Sequence, residues 1–146
     1  MNQQRAIPTG QEDLYGRWFM SAIVLSAIAS SVHALATPEH LEEWVGYGLF
    51  FIAAAAAQGV YSVLLLYLGP AKWLLWAGII GNASIVGLYA VTRTIGIPFF
   101  GPEAGEIEAV GVLDTISKVT ELALIVCLWR LMSLRAQSGE LVSAQD

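Results

Sequence analysis

Four long apolar stretches, separated by short breaks, fill almost the whole chain. A helix needs about 20 predominantly apolar residues to cross the hydrocarbon core of a bilayer, and each stretch is of that order. They run from about Arg17 to Ala36, Trp44 to Leu68, Trp73 to Thr92 and Glu106 to Leu134. Of the 146 residues, 56% are hydrophobic and only 13% charged, with a mean hydropathy of +0.63. So few charges cannot cover that much apolar surface in water. The expectation is an all-α integral membrane four-helix bundle in which residues 1–146 form a single transmembrane domain. Its first partner is the lipid bilayer.

The breaks carry turn chemistry. Gly69-Pro70 separates the second and third stretches, and Thr37-Pro38-Glu39 the first and second, with Thr37 or Glu39 able to start a helix. Arg5, Arg17, Lys72, Arg130 and Arg135 fall on one side of the predicted spans, whereas only Arg93 flanks a span on the other. This bias puts both termini in the cytoplasm. Trp18, Trp44, Trp73, Trp76 and Trp129 lie near span ends, where indole favours the interface. A signal-peptide reading competes for the first span, because Ala34-Leu35-Ala36 offers a small-residue cleavage site. The polar lead carrying Glu12 and Asp13 argues against it. Residues after Arg135 read as a polar tail without regular structure.

Within the last stretch, Asp114, Lys118 and Glu121 are spaced by four and then three residues, which puts them on one helix face. Each ionisable group at the centre of a membrane helix costs about 2.5 to 3.5 kcal/mol, so three survive there only if they pair, meet water or work. The stripe is about 10 Å long at the helical rise. Lys118 reaches either carboxylate but neutralises only one, so the other calls for a proton or a further cation. Gln58 in the second stretch and Asn82 in the third fall at matching depth, as does Ser26 in the first. Asn82, Tyr89 and Arg93 share a face, and Ser26, Ser30 and His33 form another stripe. The expected result is a polar core running from mid-membrane to the outer surface, with Lys118, Asp114 and Glu121 at its centre and Asn82, Gln58 and Arg93 lining it. A plainer reading applies to the uncharged members: such groups hydrogen-bond neighbouring helices for about 0.6 kcal/mol each, and small residues let helices approach.

The segment from Arg93 to Glu108 reads RTIGIPFFGPEAGEIE, with glycines and prolines that forbid a regular helix and apolar side chains between them. It folds back onto the bundle either as an interfacial loop or as a lid over the polar core. His33 and His40 are the only histidines, and with Glu43 and Glu106 they form a candidate divalent-metal set. Their spacing of seven residues fits no established metal motif, and pH sensing is an alternative role. A haem between His33 and His40 requires their rings to face each other across a hairpin. The single cysteine, Cys127, excludes an intrachain disulfide and reads as a buried apolar thiol. The seven basic residues are scattered, which carries no nucleic-acid signature.

No phosphate-binding loop, nucleophile elbow or zincin pair is present in the sequence. The stretch GNASIVGLYAVTRTIGIPFFGPEAGEIEAVGVLD, Gly81 to Asp114, resembles small bacterial four-span integral membrane proteins. That resemblance implies the fold and brings no activity, cofactor or site. The leading functional expectation is a non-enzymatic, multi-pass plasma-membrane protein whose polar core binds or conducts a small ion or proton. Two other classes stand beside it: an accessory subunit that uses its charges to hold a membrane-protein partner or a second copy in register, and a metal- or haem-binding redox protein.

Overall fold

The computed structural model describes residues 9–99, 101–102 and 104–143. These form four helices: α1 (Thr9–Glu43), α2 (Val45–Leu68), α3 (Lys72–Thr94) and α4 (Val112–Ser143). No strand occurs among the described residues. Three helices are long and apolar enough to cross a membrane, each holding an 18-residue stretch of high mean hydropathy: 1.8 within Asp13–Glu43, 2.0 within Val45–Leu68 and 1.7 within Lys72–Thr94. α4, at 32 residues, is longer than α2 and α3 but carries Asp114, Lys118, Glu121 and Arg130.

Consecutive helices run antiparallel. Ser26 of α1 donates to the Gln58 carbonyl of α2 at 2.7 Å, and Ser30 to the Ala55 carbonyl at 2.7 Å, so the contacts descend in opposite senses along the two chains. The backbones approach closely between α1 and α2, α1 and α4, and α3 and α4. α2 and α3 instead meet through long side chains: Tyr61 donates to the Leu74 carbonyl at 3.0 Å, and Gln58 to Asn82 Oδ1 at 3.1 Å. Gly78 makes room for this, since a Cβ there would collide with the Tyr61 phenol and with Leu128 of α4.

The Gly69-Pro70 break falls between α2 and α3, with Gly69 at φ 69° donating its N–H to the Leu65 carbonyl. This positive φ is one that glycine adopts without the steric cost of a Cβ. Three expected boundaries move. First, α1 does not stop at Thr37-Pro38 but runs on to Glu43. Pro38 removes one backbone donor, while the Thr37 hydroxyl bonds the His33 carbonyl at 2.9 Å within the same turn. The break comes instead at Trp44, a single extended residue at φ −167° and ψ 137°. Second, α4 starts at Val112 rather than Glu106. The intervening segment folds back on itself and on α3: Gly105 donates to the Ile97 carbonyl of the same loop at 2.9 Å, and Glu108 to the Thr92 carbonyl of α3 at 3.2 Å. Third, α4 continues past Arg135 to Ser143, so most of the expected polar tail is helical.

The dry core lies toward the end that carries the Gly69-Pro70 turn. Ala22, Leu65, Leu74, Leu75, Leu124, Cys127, Leu128 and Leu131 pack there, all buried. Cys127 is thus a packed apolar thiol, as expected.

Candidate functional site

Toward the opposite end the helices enclose a cavity of about 490 Å³. All four helices and the α3–α4 loop line it, and its walls mix aromatic side chains with charged ones. The loop folds over toward α2, where Gly101, at φ 87°, lies so close to Tyr47 that a side chain would strike the phenol ring.

Glu121 sits at the inner end of this polar region and is fully buried. Its Oε1 lies 2.7 Å from His33 Nε2 of α1 and accepts from Ser117 Oγ at 3.1 Å and from Gln58 Nε2 of α2 at 3.4 Å. Its Oε2 accepts from Lys118 Nζ at 2.6 Å. Gln58 bridges onward to Asn82 of α3, whose Nδ2 donates to the Gly78 carbonyl at 2.8 Å. One carboxylate is therefore tied, directly or through one amide, to all four helices. Ionised, it accepts every bond it is offered, which is how a buried charge is tolerated. Glu121 and Lys118 of the expected charged centre meet Gln58 and Asn82 of the expected lining here.

The charged triad does not close on itself. Lys118 pairs with Glu121, but Asp114 pairs with Arg93, whose Nη2 is 2.6 Å from Asp114 Oδ2. Arg93 also bonds Glu108 and the Thr92 hydroxyl. The Tyr89 ring separates the two ion pairs, 4.8 Å from the Arg93 guanidinium carbon and 5.3 Å from Lys118 Nζ. Asp114 has a second task. Its carboxylate accepts the Gly111 backbone N–H at 3.2 Å, the reach-back of a third-position acid at a helix start. An acid in the first turn also suits the helix dipole.

The proposed metal set does not converge. His33 is spent on Glu121 and Ser117, while His40 Nδ1 stands 3.0 Å from Glu43 Oε2. Among the described residues, no group of three or more His, Cys, Asp or Glu side chains is placed to hold a metal ion. The haem arrangement also fails, because α1 continues past Pro38 and carries both histidines. Instead of facing each other across a hairpin, both imidazoles rest edgewise against Phe51 of α2, at 5.4 Å and 3.9 Å.

Sequence reasoning placed His33 on a polar stripe but missed its pairing with Glu121, and it did not single out Ser117 or Phe51. Ser117 was recoverable, being four residues before Glu121 and so on the same face. The chain matches no protein family model, no curated protein and no solved structure.

Proposed function

We propose that this is a multi-pass protein of the plasma membrane, with four spans and both termini cytoplasmic, whose half-open cavity binds a small cation or proton at the network around Glu121. One observation carries the reading: a fully buried carboxylate, bonded from several helices, stands directly behind His33, Ser117 and Lys118, which line a cavity together with other ionisable side chains. Charge in such a place is costly and is characteristic of ion and proton pathways. α4 supports a fourth span, because Asp114, Lys118 and Glu121 turn inward while Ile116, Val119, Leu122, Val126 and Trp129 are exposed on its outside. The basic residues at the dry end and the acidic segments at the cavity end favour a cavity that opens outward.

The packed leucines beyond Glu121 favour binding over free conduction. The test is reconstitution into liposomes carrying an internal pH dye, with sodium and potassium gradients imposed in turn. The native protein should take up protons or a cation, and Glu121→Gln should abolish the response. Equal responses from native and Glu121→Gln protein would sink the idea.

The accessory-subunit reading has its own support in the pairing of Arg93 with Asp114 and Glu108, which fastens the α3–α4 loop to the start of α4. Buried ion pairs of this kind can specify register without adding net stability.

A further inference from the structure

Three features of the cavity wall specify a ligand more narrowly than a small cation. The first is charge. Glu43, Glu106, Glu108 and Asp114 line the cavity against Lys118 and Arg93. Both cations are already compensated, Lys118 by Glu121, and Arg93 by Asp114 and Glu108. Glu43 has only His40 beside it, and Glu106 has no ion pair among the described residues. The uncompensated charge is therefore negative and lies toward the mouth, where a cleft concentrates ions of the opposite sign.

The second feature is the wall between these charges. Tyr47, Phe50, Phe51, Tyr89 and Phe99 contribute aromatic surface, and aliphatic side chains fill much of the rest. A bare inorganic ion has no apolar body for such walls to bury, whereas an organic cation is buried by them and its head is attracted to the ring faces. Tyr89 already serves two cations in this way, Arg93 and Lys118. At about 490 Å³ the space suits an organic molecule, lying within the range of about 300 to 1,000 Å³ usual for such sites.

The third feature is a buried polar atom without a partner. His33 lines the cavity and is 2% exposed; its Nε2 is engaged with Glu121, and its Nδ1 has no hydrogen-bond partner among the described residues. A polar atom buried in this way calls for a polar partner.

We infer that the cavity binds a lipophilic organic amine in its protonated form. Its ammonium head is drawn to the Glu43 and Glu106 carboxylates at the mouth, and its body lies against the aromatic wall toward His33. This inference rests on the reading of the cavity as a cation site.

The experiment is calorimetric titration of the full chain in lipid nanodiscs, with empty nanodiscs as the blank. The probes are 2-phenylethylamine, 3-phenylpropanoate and sodium chloride. The expected result is saturable binding of the amine, none of the carboxylate, and a loss of affinity of about tenfold or more in a Glu43→Gln, Glu106→Gln double variant. Both of those residues are exposed and lie outside the packed core, so the variant should retain the fold. Preference for 3-phenylpropanoate overturns the inference, and so does the absence of saturable amine binding. If the amine fails while Glu121→Gln still abolishes cation or proton uptake in liposomes, the site takes inorganic ions alone. If both measurements are silent, the cation-site reading falls with it.

Discussion

At the end of the bundle that carries the Gly69-Pro70 turn, the helices meet through leucine and alanine, with Leu65, Leu75, Leu124, Leu128 and Leu131 wholly excluded from the surface. At the other end the same helices stand around a cavity, and charged or hydrogen-bonded side chains replace the leucines. The border falls near Tyr61 and Gly78 on the dry side, and near Gln58, Asn82 and Glu121 on the polar side. In lipid, van der Waals packing drives helix association, because lipid tails are as apolar as the side chains they touch. Close packing at one end can therefore hold the bundle while the other end stays open. The contrast teaches that the fold and the site occupy different lengths of the same helices.

The largest expected effect tests whether the polar end is merely tolerated. Glu121→Ala removes the group on which His33, Ser117, Gln58 and Lys118 converge. Their donors are then left buried without an acceptor, at a cost of about 3 to 5 kcal/mol. Unfolding in mixed micelles of mild detergent and dodecyl sulfate measures it. Glu121→Gln keeps the shape and some of the bonds, so it should lose much less stability while losing cation or proton uptake. Comparable losses from both variants would make Glu121 an architectural residue.

Leu128→Ala asks the converse question at the dry end. Leu128 is fully buried and touches the space beside Gly78. Truncation should cost about 2 to 5 kcal/mol by leaving a void. Cation binding at saturating protein stability should stay at the native level. A drop in binding affinity alongside the stability loss would erase the division between the two ends.

Gly78→Ala probes the border and should cost less, about 1 to 3 kcal/mol, because a single methyl has to push aside the Tyr61 phenol and Leu128. The shift also tugs on Asn82, whose amide bonds the Gly78 carbonyl. This variant should therefore weaken cation binding as well as the fold, in contrast to Leu128→Ala, and the same two assays applied to both separate them.

The apolar stretches made the helices and the Gly69-Pro70 turn legible, since length and hydropathy act along the chain. Helix ends that depend on contacts across the molecule were not. Pro38 suggests a stop, but α1 carries it because packing against α2 continues to Leu41, which presses on Gly48. Glu106 looks like the start of a span, yet Gly105 spends its N–H on Ile97 of the loop and Glu108 on Thr92 of α3. Similar reasoning applies to the site. Spacing put Asp114, Lys118 and Glu121 on one face, but a shared face does not select partners. Lys118 lies three residues before Glu121 and bonds it directly, while Asp114 is drawn to Arg93 on the neighbouring helix. His33 and Glu121 are 88 residues apart, and only the crossing of α1 with α4 brings them together.

The smallest effect concerns that partner choice. Asp114→Asn leaves Arg93 with Glu108 and the Thr92 hydroxyl, and an amide oxygen can still accept the Gly111 N–H. The expected loss is only about 1 kcal/mol in the same unfolding assay. Arg93→Gln should cost more, because it strands the carboxylates of Asp114 and Glu108 beside each other without a cation. The order of these two losses separates the roles of the outer charges. If Arg93 fastens the loop to α4, Arg93→Gln loosens the segment over the cavity, and limited proteolysis should cut between residues 95 and 111. Cation uptake would then become faster and less selective rather than vanish, since the Glu121 network is untouched. If uptake instead vanishes with Arg93→Gln but survives Glu121→Gln, the working site is the outer ion pair, and the buried carboxylate belongs with the leucines as part of the scaffold.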